Sequence, residues 1–262
     1  MSSSRVRLAF SALLLGTWMT LPPAVAAAPA FAQSHALLGQ VLSRHVAEGR
    51  VDYAALKKDP ADLDRYLAQL SAVSKEELKS WDEPSQLAFL INAYNAWTLR
   101  LVATHYPVGS IKDIGTLVRG PWDQRVVNLW GETLSLDTLE HSVLRKDYKE
   151  PRIHFALVCA ARSCPPLRSE PYLGEQLGRQ LDDQARQFLA TPSKNRVVAA
   201  GHTVHLSPIF KWYAADFERQ SGSVLSALQP YWPADTAALL AKGQFSIRYT
   251  VYDWSLNDRK GR

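Results

Sequence analysis

Both cysteines of the chain, Cys159 and Cys164, fall five residues apart in the stretch Arg152–Leu167 (RIHFALVCAARSCPPL), just after His154. A cysteine does chemistry as its thiolate, so a nucleophilic role needs a histidine or another cation nearby. If residues 153–159 form a regular strand, alternate side chains face opposite ways, and His154 and Cys159 lie roughly 16 Å apart at about 3.3 Å per residue. The partner histidine must then come from another element, and His141 is the choice. On this reading Cys164 attacks an amide or thioester and His141 takes the thiol proton. Glu140 or Asn95 would orient the imidazole or stabilise the oxyanion. Two other readings of the same sulfurs stay open. A turn at Ala160-Ala161 would let Cys159 and Cys164 close a disulfide. A zinc site could draw on Cys159, Cys164, His141 and His154, but no established ligand spacing supports it, so no metal and no cofactor is expected.

Further polar residues sit where burial would make them matter. Asn92 and Asn95 share one face of an apolar helix at i, i+3 spacing, with Tyr94 and Trp97 pointing elsewhere. Buried amides need partners, and tying loops to the helix is the structural alternative to a catalytic role. Asp137 and His141 stand at i, i+4 on a later helix, next to Glu140, a spacing that would orient the imidazole.

These groups need elements to hold them. Helical periodicity covers 35–48, with Gly49 as its terminator, and then about 62–70. Ser74 and Glu77 have capping-box spacing. PSQLAFLINAYNAWTLRLVATH, residues 84–105, is apolar on most sides and therefore reads as a buried helix ending before Pro107. Strand character appears at 125–130 and 153–159, and a hairpin at 195–206 turns at Ala200-Gly201. Ser135 should cap a helix over 136–146, and further helices are expected at 172–189, 208–219 and 234–242, with a closing strand at 245–251. The fold class expected is α+β: a buried central helix packed on a small mixed or antiparallel sheet, preceded by a helical N-terminal region.

The amino terminus reads as a secretory signal. Arg5 and Arg7 precede the apolar run 8–21, and both Ala24-Val25-Ala26 and Ala30-Phe31-Ala32 offer small-x-small cleavage patterns. Cleavage after Ala32 is preferred, giving a periplasmic or secreted chain from Gln33 with no transmembrane anchor. The segments expected are a signal at 1–32, a helical region at 33–79, a core at 80–220, and a helix and strand at 221–262 packing on that core. Removing 1–32 removes two arginines and no acid, so the formal charge of +5 falls to +3. No Lys/Arg block concentrates that charge, which argues against nucleic acid and leaves a small molecule or peptide as the ligand class.

Four segments taken in order, FLINAYNAWTL, SLDTLEHSVLR, PRIHFALVCAARSCPPL and FKWYAADF, resemble the signatures of the domain-of-unknown-function 547 family over about residues 80–220. Bacterial members of that family are commonly exported. The resemblance implies that Asn92, Tyr94, Asn95, Glu140, His141, Arg145, His154, Ser163 and Pro165 occupy motif positions. It implies no activity. Asn92, Arg145, His154 and Ser163 are accordingly the expected binding residues beside the four catalytic candidates. The functional expectations are a thiol-dependent hydrolase or transferase, and alternatively a non-catalytic periplasmic binding or interaction domain with a structural disulfide.

Overall fold

The computed structural model describes residues 31–116 and 118–260. The expected signal segment up to Ala30 lies outside them. The amino-terminal region is helical: α1 (Ala36–His45), then α2 (Tyr53–Lys58), α3 (Ala61–Ala72) and α4 (Lys75–Ser80). Between α1 and α2 the chain departs from the expected longer helix. It forms a hairpin of β1 (Val46–Ala47) and β2 (Arg50–Val51), turning at Glu48 and Gly49, both at positive φ. Gly49 is required there, because a Cβ would come within 2.3 Å of the Pro166 Cβ. Ser74 caps α4 by accepting from Glu77 N, while the Glu77 carboxylate accepts from the Phe31 amide instead of returning to Ser74.

The central helix α5 (Glu83–His105) starts at the Asp82 cap with Pro84 in its first turn, and residues 87–99 are all buried. It packs against α2, α3 and the hairpin of β3 (Arg125–Leu129) and β4 (Glu132–Ser135). This is the α+β arrangement expected, with a buried helix against a small antiparallel ladder. After β4, Ser135 accepts from Thr138 N, and the helix that follows is wound as a π-helix over Thr138–Leu144 before it tightens into α6 (Arg145–Asp147).

The main departure is at 153–159. Pro151–Phe155 is a 3-10 turn, not a strand, and the chain continues without regular structure to the cysteines. Pro151 pre-sets a helical φ, and no neighbouring strand offers this segment a ladder; side chains supply the missing partners. Asn95 donates to Ala156 O (2.9 Å) and accepts from Val158 N (2.9 Å). The period-two alternation inferred for His154 and Cys159 therefore does not apply, and both point into one cavity.

Beyond the cysteines come α7 (Leu177–Leu189), β5 (Arg196–Val198) and β6 (Thr203–Leu206). The run at 208–219 breaks at Tyr213 into α8 (Ile209–Trp212) and α9 (Ala214–Ser221). Two more helices follow, α10 (Val224–Leu228) and α11 (Ala234–Lys242), and β7 (Ser246–Tyr249) adds parallel to β6, making a mixed three-stranded sheet. Tyr172 falls outside the helix expected from it, because Asn92 clamps both backbone groups of this residue: Asn92 Nδ2 donates to Tyr172 O (2.8 Å) and Tyr172 N donates to Asn92 Oδ1 (2.9 Å). One apolar cluster surrounds α5, and a smaller one gathers Phe155, Phe188, Phe210 and Phe217. The described residues form one compact unit.

Candidate functional site

Where the two apolar clusters approach, a cavity of about 230 Å³ opens to the surface. Its walls carry six aromatic rings: Tyr94 from α5, Trp122, Trp212 at the end of α8, Tyr213, and Tyr252 and Trp254 from the carboxyl-terminal segment. Glu140 and His141 enter from the π-helical turn, Asp137 from its amino-terminal cap, His154 from the 3-10 turn, and Cys159 and Cys164 from the loop after it. A π-helical turn narrows the angle between successive side chains, which is how adjacent Glu140 and His141 reach the same wall; such turns often mark functional positions.

His154 is buried, 3% exposed, with its ring stacked on Tyr213 at 3.8 Å between centroids. Its Nε2 is 2.8 Å from Asp216 Oδ2, and Arg145 Nε reaches the same oxygen at 2.6 Å. Burial lowers the His154 pKa, and the opposing pull of Asp216 and Glu140 does not restore it. For Asp216, burial acts upward, but the bonds from His154 and Arg145 outweigh it and hold the carboxyl well below its usual range. The consistent state is a neutral imidazole donating Nε2–H to an ionised Asp216. The ring borders the cavity.

Glu140, 7% exposed, accepts from the Tyr213 hydroxyl at 2.7 Å. Burial and this carboxylate together hold the Tyr94 and Tyr213 hydroxyls above their ordinary pKa, so both stay protonated donors. His141 is exposed, 3.4 Å from Asp137 and 2.6 Å from Arg145 Nη1. The Asp137 to His141 pairing expected from spacing is present, and Arg145 serves Asp216, His141 and the face of Tyr213 at once.

Cys159 and Cys164 are joined as a disulfide, and neither carries a thiol. Ala160, at φ 58°, supplies the turn between them. In this state Cys164 has no nucleophile to offer and neither sulfur is a zinc ligand; among the described residues no group of three or more His, Cys, Asp or Glu could hold a metal.

The cavity thus brings together Glu140, His141, His154 and Cys164, and leaves Asn92, Asn95, Ser163 and Arg145 outside its lining. Both ends of the Asn92 and Asn95 amides are engaged by backbone, so Asn95 stands as a clamp on 156–158 and not beside a reacting sulfur. Ser163 accepts from Asp253 N at 2.8 Å and faces a neighbouring cleft. Sequence reasoning passed over Asp216, Tyr213, Tyr252 and the tryptophans. Tyr213 and Asp216 lie within FKWYAADF, where a tyrosine and a carboxylate three residues apart at a helix start were the available signal.

A family described as "Protein of unknown function, DUF547" matches residues 78–189. The chain is similar to that family there. The matched stretch contains α5, the π-helical turn, His154 and both cysteines, and stops short of Trp212, Tyr213, Tyr252 and Trp254, which complete the cavity, and of Asp216, which braces His154. No curated protein and no solved structure matches the chain.

Proposed function

We propose that this is an exported, non-catalytic binding protein whose cavity takes a small organic cation. The observation that carries the reading is the composition of the wall: six aromatic rings and the carboxylates Asp137 and Glu140, with no lysine or arginine in the lining. Ring faces are electron-rich and attract an ammonium group, the more so once it is desolvated, and a buried carboxylate adds to the attraction. Lys112 already holds its ammonium 3.7 Å from the centroid of Trp254, an internal instance of the same contact. Arg145 lies against Tyr213 outside the lining, with its Nε held by Asp216, a carboxylate it shares with Arg219. Export is supported by the Arg5/Arg7, apolar-run and small-x-small order at the amino terminus, and no helix among the described residues is long and apolar enough to cross a membrane.

The test is titration with choline and with its uncharged isostere 3,3-dimethylbutanol, followed by tryptophan fluorescence and calorimetry. Choline should bind at least tenfold more tightly, and Glu140→Gln or Trp254→Ala should each weaken it by about tenfold, in line with 1–2 kcal/mol for a desolvated cation on a ring. Equal binding of the two probes, or none of either, would overturn the reading.

A second reading, a thiol-dependent hydrolase or transferase acting on an amide or thioester, draws support from the neutral His154 braced by Asp216 in the same cavity as the sulfurs. It requires an opened bridge. It also moves the base from His141 to His154, and the orienting role from Glu140 or Asn95 to Asp216.

A further inference from the structure

The cation reading makes no use of the disulfide in the cavity wall, yet that disulfide is surrounded by groups suited to its opening. We infer that the Cys159–Cys164 bridge undergoes thiol–disulfide exchange with a small thiol admitted to the cavity, attack falling on Cys159 and Cys164 departing. The two sulfurs differ in access: Cys159 is half-buried and Cys164 only 3% exposed, so a thiolate coming through the mouth meets Cys159 Sγ first. They differ in support as well. The Cys159 amide lies 3.0 Å from Cys164 Sγ and the Tyr252 hydroxyl 3.3 Å from it, so charge developing on the departing sulfur meets two donors already in place. Tyr252 is also 3.2 Å from Cys159 Sγ and can shift between the sulfurs as charge moves. Burial holds its hydroxyl above the ordinary tyrosine pKa, which keeps it a donor.

The surroundings keep the opened cysteines together. Arg162 N donates to Ser255 O, Ser163 N to Asp253 O, and Asn257 N to Ala160 O, so the loop between the cysteines is tied at three backbone points to the carboxyl-terminal segment. Breaking the sulfur bond releases none of these ties.

A thiolate RS⁻ forms a bond to Cys159 Sγ, the Cys159–Cys164 bond breaks, and its electron pair leaves on Cys164 as a thiolate. A second thiol then attacks the mixed disulfide at the R sulfur, giving RS–SR and the Cys159 thiolate. Two electrons pass from the two thiols to the bridge, and their two protons end on the cysteines. Asp137 and Glu140 give the cavity a negative potential, so the favoured substrate class is a small thiol carrying a positive charge; this clause alone rests on the cation reading.

Cysteamine is the probe, with mercaptoethanol and thioglycolate as neutral and anionic controls, and opening is read by rapid alkylation and mass mapping of the intact folded protein. The expected rate is first order in thiol at concentrations where global unfolding is far slower. The first mixed disulfide should map to Cys159, and Tyr252→Phe should slow opening about tenfold with its unfolding rate unchanged. An opening rate that levels off at the unfolding rate, a first adduct on Cys164, or no effect of Tyr252→Phe would overturn the proposal. Should Tyr252→Phe unfold faster, the thiol order and adduct position in the unaltered protein decide alone. A loss of preference among the three thiols, with first-order opening at Cys159 retained, would remove only the charge clause, whereas choline binding tests the cation reading independently.

Discussion

Two polar clusters lean on the same buried helix, and they are finished differently. Around Asn92 and Asn95 every amide group is spent on backbone: two peptide segments that have no ladder of their own receive a donor and an acceptor each. Around Glu140 and His154 the groups are braced by Tyr213, Asp216 and Arg145, and both side chains line a cavity. Both clusters are buried and polar. A closed cluster contributes stability, since buried polar groups are costly only when unmatched, whereas an open one holds capacity for a ligand. The comparison explains why burial and motif position alone do not separate structural from functional residues here.

The sharpest way to break the comparison is to remove one amide. Asn95→Leu keeps the shape but leaves Ala156 O and Val158 N without partners, and should lower stability by about 4 kcal/mol, two unmatched buried groups at roughly 1–3 kcal/mol each. Glu140→Gln, which can still accept from Tyr213, should change it by less than about 1 kcal/mol. Denaturant midpoints for the two variants check both figures. Equal losses would mean that the cavity cluster is as structural as the clamps.

How far the sequence disclosed this arrangement follows from the range of the interactions. Helix α5, its start near Pro84 and its burial were legible because apolar periodicity and capping are local. The β3 and β5–β6 strands were legible for the same reason. The segment 153–159 misled, since its β-rich composition matched a strand and its true backbone partner is the Asn95 side chain, some sixty residues away. Within the site, Glu140, His141, His154 and Cys164 stood out by residue type, and their gathering in one cavity did not depend on the strand geometry assumed for them. Tyr252 carried no local signal and Asp216 only its spacing from Tyr213, because a carboxylate or tyrosine becomes notable through what it touches, and both touch residues at least sixty positions away.

Histidines offer a finer test of closed against open. His35 is enclosed, with Nδ1 2.7 Å from the Tyr66 hydroxyl, and burial lowers its pKa to about 4. His154 is lowered too, but from a ring that borders the cavity. A histidine whose folded pKa lies below its unfolded value binds fewer protons when folded, so its stability contribution is full above about pH 6.5 and is lost as pH falls toward the folded pKa. Between pH 7 and 4 the His35 share of that loss should approach about 3 kcal/mol at 1.36 kcal/mol per pKa unit. Asp216, whose pKa is depressed, loses its contribution only below the ordinary carboxylate range and does not enter this window. Urea midpoints across pH should therefore fall steadily, and His35→Asn should flatten most of the slope. Choline should alter only what remains, the part to which His154 contributes; an unflattened slope in His35→Asn would assign the acid sensitivity to the open cluster instead.

The smallest effect concerns the rim of the closed region and the start of the mature chain that the export proposal requires. Phe31 stacks on Trp81 at 5.7 Å, meets Phe89 edge-on at 5.3 Å, and donates its amide to Glu77 Oε1 at 3.1 Å. Cleavage after Ala32 would discard all three contacts, whereas cleavage after Ala26 would keep them. Aromatic pairs of this kind are worth about 0.5–1.5 kcal/mol beyond their buried area, and the hydrogen bond to a carboxylate adds a comparable amount when partly buried. Trp81 is itself partly exposed, so solvent takes over some of what is lost and the net difference should be near 1 kcal/mol. We expect the intact mass of the exported protein to begin at Gln33, and a chain made to begin at Ala27 to unfold at a slightly higher denaturant concentration. A mature mass beginning at Ala27 would replace the expected cleavage site and make Phe31 a permanent part of the wall behind α5. Identical midpoints for the two chains would show that Trp81 and Phe89 close over the gap without it.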